Sequence, residues 1–140
     1  MGRAGVKVPR PKSVADVDVL DGALRVMRSA GPDGVTFQAV ARETGLSAPT
    51  LVQRFGTKAG LLQAALIRAW DLLDAATEAA DAAAPVNAKG AVAFLVALSG
   101  DYGEGDAYGD GLLVLREDMR DPVLRRCGTV WHARVVAALA

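Results

Sequence analysis

Apolar residues recur at intervals of three or four between residues 14 and 30, which places them on one face of a helix. A Gly-Pro pair at 31 and 32 ends this segment, because Gly can close a helix C-terminus and Pro does not continue a helix. The pattern predicts a first helix over Val14–Ala30. Its main apolar positions are Val17, Leu20, Leu24 and Met27.

Two short helices are predicted next, each with its own start and stop signal. Thr36 is a candidate N-cap for a helix over Phe37–Thr44, which Gly45 ends. Ser47 is a candidate N-cap for a third helix that runs through about Phe55. The sequence therefore predicts two short helices joined by a tight turn.

The rest of the chain also reads as helical, and no stretch alternates convincingly like a strand. The segment Ser99–Gly111 holds five glycines and four acidic residues, so it is predicted to be a loop. Thr57, Asn87 and Asp121 are the candidate N-caps of the longer helices. The predicted helices are Lys58 to about Ala83, the segment after Asn87 to about Leu98, Leu112 to Arg120, and the segment after Asp121 toward Ala140.

Composition is typical of a folded chain, and charge divides it into two unlike halves. Apolar residues make up 51% of the sequence, which argues against disorder. Residues 1–58 hold nine Lys and Arg against five Asp and Glu, a net charge of +4, and the remainder carries −4. This asymmetry favours a nucleic-acid-facing head followed by a different second half.

The sequence carries no targeting or spanning signal. Cys127 is the only cysteine, so no disulfide forms within the chain. The basic N-terminal residues lack the apolar core of a secretory signal, and no apolar stretch is long enough to cross a bilayer. We expect a cytoplasmic protein without membrane contact.

The window Thr36–Phe55 meets the demands of a helix-turn-helix. Ala41 is small where the second helix must cross closely, and four residues later Gly45 tolerates a left-handed backbone. The second helix keeps a polar outer face, which could enter the major groove of DNA N-terminus first. An ordinary helical hairpin is the competing interpretation. The two caps, the helix lengths, the preceding helix and the basic start of the following helix together favour the helix-turn-helix.

The same window resembles the tetracycline-repressor (TetR) family of transcriptional regulators. The likeness is carried by the segments VARETGLS at 40–47 and TLVQRFGTK at 50–58, with LRVM at 24–27, GVT at 34–36 and the Leu61-Leu62 pair beside them. It covers about residues 17–66. Two positions depart from the family pattern: Val52 replaces the usual aromatic residue, and Arg54 replaces the common His or Tyr.

The resemblance implies an all-α fold, with a three-helix DNA-binding head and a helical domain for ligand binding and dimerisation. We expect a flexible basic arm at 1–12, the helix-turn-helix domain at 13–60 and a regulatory domain at 61–140. Relatives usually carry two further C-terminal helices, so the regulatory domain is expected to be incomplete, which puts dimerisation of this chain in doubt.

The resemblance also assigns roles to individual residues. Residues near the start of the third helix would approach base edges, and residues at the helix starts would neutralise or bind phosphates. In the second half, large apolar side chains would line a pocket for a small-molecule effector, although each could equally be plain core. The predicted DNA-binding residues are Thr36, Ser47, Ala48, Pro49, Thr50, Gln53, Arg54 and Lys58, and the predicted pocket residues are Trp70, Phe94, Leu98, Tyr102, Met119 and Trp131.

The sequence thus predicts a ligand-responsive repressor that binds a pseudo-palindromic operator in double-stranded DNA as a homodimer. Activation instead of repression is an open alternative. Another is a helical small-molecule-binding or interaction protein whose head no longer binds DNA, an alternative that Val52 and the short second half motivate. We expect no enzyme, no catalytic residue, no cofactor and no metal site, because the sequence lacks the motifs of such sites.

Overall fold

The computed structural model describes residues 14–99 and 105–140, with side chains from residue 111 in the second range. Within these ranges the chain forms seven α-helices and one short 3-10 turn, Pro32–Gly34. The predicted all-α fold class is confirmed. The helices are α1 (Asp16–Ala30), α2 (Phe37–Thr44), α3 (Ala48–Phe55), α4 (Lys58–Ala83), α5 (Ala88–Ser99), α6 (Gly105–Arg120) and α7 (Pro122–Leu139).

Helix α6 begins at Gly105, so the predicted loop over Ser99–Gly111 is wrong for its second half. Clusters of glycine favour loops, but each glycine costs only about 1 kcal/mol relative to alanine in a helix. Unlike proline, it keeps its N–H and does not clash with the preceding turn. A helix that is favoured from Leu112 onward can therefore extend backward through several glycines.

The first three helices and the start of α4 enclose one apolar core. Val19 and Ala23 of α1, Val40 of α2, Leu51 of α3 and Leu61 of α4 are all fully buried. These five residues come from four helices, so none of the four can bury its apolar face alone. The helix-turn-helix is therefore held by α1 and α4 rather than by its own short hairpin.

Helices α1 and α2 approach closely at Gly22. A Cβ atom added at Gly22 would lie 2.7 Å from Cγ2 of Thr44, the last residue of α2. The hydroxyl of Thr44 donates to the Val40 carbonyl at 2.7 Å, which fixes the rotamer of this side chain. Only a residue without a side chain fits at position 22 at this separation of the two helices.

Helix α4 is 26 residues long and belongs to both halves of the chain. In its first half it packs against α1, where Arg68 donates to both carboxylate oxygens of Asp21, from Nε at 2.8 Å and from Nη2 at 3.3 Å. The hydrogen bonds from Arg68 hold the pKa of Asp21 below its ordinary value. Helix α4 thus runs without a break across the domain boundary that the sequence predicts near residue 60.

In the second half of the chain, α5 and α7 pack against α4, and α6 packs against α7. Leu124 of α7 joins the core of the head, and Gln63 of α4 donates to the Asp121 carboxylate at 2.7 Å. The bond from Gln63 is the main reason that the pKa of Asp121 is lowered. Several large apolar side chains of α6 and α7 remain exposed, namely Leu112, Leu115, Met119, Val130 and Val136.

Among the described residues, no helix combines the length and the apolar character that crossing a membrane requires.

Candidate nucleic-acid interface

The caps and the turn of the helix-turn-helix have the geometry that the sequence predicts. The Thr36 hydroxyl accepts a hydrogen bond from the Ala39 amide at 3.1 Å and so begins α2. Gly45 has φ +75° in the left-handed region, which reverses the chain without the steric penalty that another residue would carry. The Ser47 hydroxyl accepts from the Thr50 amide at 3.3 Å and begins α3.

Helix α3 has one buried face and one exposed face. Leu51 is fully buried in the core of the head, and Phe55 packs against that core. Pro49, Val52 and Gln53 are exposed on the opposite side. The exposed face is available to another molecule, while the buried face fixes how α3 projects from the head.

Two hydroxyl groups stand together at the start of α3. The side-chain oxygens of Ser47 and Thr50 lie 2.7 Å apart and share one hydrogen bond, in which either can donate. The pair therefore has one further hydroxyl hydrogen to offer, and it also keeps acceptor lone pairs. Ala48 and Pro49, beside them, offer only apolar atoms.

The guanidinium of Arg54 is engaged inside the head. It donates from Nη1 to the Val14 carbonyl at 2.6 Å and to the Asp16 carboxylate at 3.3 Å. These contacts join the end of α3 to the start of α1, about 40 residues earlier in the chain. Sequence reasoning missed this pairing, since no local spacing signals it.

Lys58 is also held by a neighbouring turn. Its ammonium group donates to the carbonyl of Asp33 at 2.7 Å, in the 3-10 turn Pro32–Gly34. Lys58 is the first residue of α4, whose N-cap hydroxyl on Thr57 accepts from the Gly60 amide at 3.0 Å. The starts of α2 and α4 are thus linked through one lysine side chain and one turn.

The structure brings together some of the predicted pocket residues. The rings of Trp70 and Trp131 are in contact, with centroids 6.1 Å apart. Phe94 is buried and lines a separate cleft of about 350 Å³, formed by the end of α4, the start of α5 and the end of α7. Leu98 is half-buried, Met119 is 64% exposed, and Tyr102 lies outside the described residues.

The two indoles are anchored by polar groups of the second half. Trp70 donates to the Asp118 carboxylate at 3.2 Å, and Trp131 donates to the Thr77 hydroxyl at 2.8 Å. Burial raises the pKa of Asp118, and the bond from Trp70 partly offsets this effect. Each indole N–H is therefore satisfied within the protein, as expected for a packed aromatic core.

Comparison with known families identifies the head. Residues 19–65 match the family model of bacterial regulatory proteins of the tetR family. The matched segment begins in α1, contains α2 and α3 entirely and ends in α4, so it includes every residue of the helix-turn-helix. No curated protein gives a significant match to the chain. Residues 19–65 therefore form a helix-turn-helix DNA-binding domain similar to that of bacterial transcriptional regulators of the tetR family.

Proposed function

We propose that the protein is a ligand-responsive repressor that binds a pseudo-palindromic operator as a homodimer. The observation that carries this proposal is the division of α3, which buries Leu51 in the head and leaves an exposed face with a hydroxyl pair at its start. A recognition helix enters the major groove with its N-terminal residues against the base edges. The protein would act in the bacterial cytoplasm, where the chromosome lies.

In this proposal, the start of α3 distinguishes base pairs. Ser47 and Thr50 donate to or accept from base edges, and Gln53 contacts a base or a phosphate. Ala48 and Pro49 contact apolar groups such as a thymine methyl. The hydroxyl pair supports this assignment, because it can change which oxygen donates without moving the backbone.

Phosphates would be bound at the starts of two helices. Thr36 lies at the N-terminus of α2 and Lys58 at that of α4, where the helix dipole and free amides favour an anion. Arg54 has further N–H donors besides the Nη1 group that binds Val14 and Asp16, so one guanidinium can fix α1 and contact a phosphate together.

Homodimerisation is supported by the apolar side chains that α6 and α7 leave exposed. A second copy of the chain that packed against α6 and α7 would remove these side chains from water. Two heads held by such an interface would bind two half-sites about one helical turn of DNA apart.

Fluorescence anisotropy tests the proposal directly. The full chain is titrated into labelled duplex from immediately upstream of its own gene, and into a scrambled duplex, over a series of salt concentrations. Selective binding that weakens steeply with salt is expected, because phosphate contacts release counterions. A folded chain that binds both duplexes equally contradicts sequence-specific binding. A folded chain that binds neither duplex favours a head that no longer binds DNA.

Thr50→Ala and Arg54→Ala should affect DNA binding in different ways. Thr50→Ala should change the preferred base at one position, because a base-edge contact discriminates by about 1–3 kcal/mol. Arg54→Ala should weaken binding to all DNA sequences alike, because one phosphate contact is lost. The slope of log binding constant against log salt concentration (the salt slope) should fall in magnitude by about one. Anisotropy on a set of single-base operator variants at several salt concentrations separates the two effects.

Arg54→Lys is the control for charge, since it keeps the cation and should keep the salt slope. If Thr50→Ala and Arg54→Ala both leave DNA binding unchanged, then the proposed recognition face is wrong.

Asp16→Asn should raise DNA affinity by about two- to fivefold at low salt, which corresponds to the modest strength of an exposed ion pair. The substitution removes a carboxylate 3.3 Å from the Arg54 guanidinium, while the Val14 carbonyl still holds Arg54 in place. Salt screens this effect, so the gain should shrink as salt rises. Anisotropy measures both quantities.

Asp18→Asn is the matched control, because it makes the same charge change two residues away on the same helix. An equal gain from both variants would mean that only net charge matters and that the Asp16–Arg54 pair has no specific effect on binding.

A further inference from the structure

An apolar groove lies between the head and the second half, and its lining includes none of the described residues that the sequence suggested for a ligand. It is bounded by α1, α4 and α6 and has a volume of about 370 Å³. This volume falls within the roughly 300–1,000 Å³ of small-molecule sites. Its apolar lining comes from Leu24, Met27, Ala69, Leu72 and Val114, and Gly111 forms one wall.

No described side chain closes the wall at Gly111. A Cβ atom added at Gly111 would have no heavy atom of the described residues within 4 Å, so none of these residues fills the space beside it. Val114, one turn further along α6, is half-buried, while Leu72 on the facing wall of α4 is partly exposed. The groove is therefore accessible from solvent and has an apolar floor.

Among the residues whose side chains the structure describes, one charged side chain lines this groove. Arg28 stands in the last turn of α1 and is exposed beside Leu24 and Met27. A guanidinium at the edge of an apolar groove complements a ligand with an anionic head and an apolar body, because it offers several N–H donors in a planar fork. We propose that this groove binds an amphipathic monocarboxylic acid, with the carboxylate on Arg28 and the chain against Leu24, Leu72 and Val114.

This ligand would be the effector of the proposed repressor, and that part of the inference rests on the proposed function. Helix α6 contacts the 3-10 turn Pro32–Gly34, and the Asp33 carbonyl of that turn accepts the hydrogen bond from Lys58. A ligand that separates α6 from α1 would therefore alter the turn that positions the starts of α2 and α4. A ligand that prefers the altered arrangement must lower DNA affinity, because the two binding equilibria are linked.

Isothermal titration calorimetry with decanoate, below its micelle-forming concentration, tests the site without DNA. Saturable binding is expected for the full chain. Gly111→Leu should reduce affinity by about tenfold or more, because the leucine side chain fills the groove. Gly111→Ala is the matched control, since it gains the same helical propensity but leaves most of the space, and it should retain binding.

Arg28→Gln should also reduce decanoate affinity by about tenfold, because a charge-assisted hydrogen bond is lost, while binding of decanol should not change. The site is overturned if the full chain does not bind decanoate or if Gly111→Leu binds it as well as Gly111→Ala. The carboxylate assignment is overturned if decanol binds as tightly as decanoate.

Anisotropy with operator DNA then separates the site from its role. If decanoate binds the groove and weakens DNA binding by the full chain, but not DNA binding by Gly111→Leu, the result supports both the site and its role as the effector site. Decanoate that binds the groove and leaves DNA affinity unchanged supports the site and contradicts its role as effector. If the full chain does not bind operator DNA when no ligand is present, the proposed function itself is contradicted.

Discussion

Leu51→Ala should lower the free energy of unfolding by about 2–5 kcal/mol, the range for truncation of a fully buried leucine. Leu51 has no exposed surface and is the buried residue of α3, so it fixes that helix to the core shared with α1, α2 and α4. Truncation leaves a cavity where α3 meets its support. Urea denaturation followed by far-UV circular dichroism measures the loss.

Val52→Ala is the matched control, because it truncates the next residue of the same helix, which is 44% exposed. It should change the free energy of unfolding by less than about 0.5 kcal/mol. Equal effects from the two variants would contradict the orientation of α3 described above, and with it the choice of the face that meets DNA.

Gly22→Ala should destabilise the protein by about 1–3 kcal/mol, the usual effect of forcing an extra carbon into a packed contact. At most exposed helical positions the same substitution is stabilising, because alanine has a higher helix propensity than glycine. Here the new Cβ would lie 2.7 Å from Thr44 Cγ2, which is closer than two carbon atoms approach. Helix α1 would have to move away from α2, and the midpoint of urea denaturation should fall.

A second substitution tests the cause of this destabilisation. Thr44→Ser removes the Cγ2 atom but keeps the hydroxyl that donates to Val40. The double variant Gly22→Ala/Thr44→Ser should recover at least about 1 kcal/mol relative to Gly22→Ala, as expected for residues in direct contact. If the two substitutions are additive instead, the close approach of α1 and α2 does not explain the glycine.

Local signals in the sequence are sufficient to predict most of the helices. Thr36, Ser47, Thr57, Asn87 and Asp121 were each expected to cap a helix, and each accepts a hydrogen bond from an amide two or three residues ahead. Such caps depend on residues that are neighbours in the chain, so their residue types and spacing predict them. The predicted start of α6 was wrong because glycine lowers the stability of a helix without preventing the helix from forming.

The candidate site is only partly predictable, because some of its contacts join residues that are distant in the sequence. The exposed face of α3 follows from helical periodicity, but the partners of its cations do not. Arg54 reaches Asp16 and Lys58 reaches Asp33 across 38 and 25 positions of sequence. These contacts form only once α1, α3 and α4 have packed together. The groove beside Gly111 is equally invisible in the sequence, since it consists of space that three separate helices leave between them.

The pairing of Trp70 with Trp131 has a spectroscopic consequence. These are the only two tryptophans of the chain, and both lie beyond the matched head, whose aromatic residues are Phe37 and Phe55. Indole emission therefore reports the packing of α4 with α7, while circular dichroism reports helices in both halves. Coincident transitions in the two signals would indicate that head and second half unfold as one cooperative unit. A head that melts first would lower the helical signal while the emission stays native, so the protein carries an intrinsic optical label on one half alone.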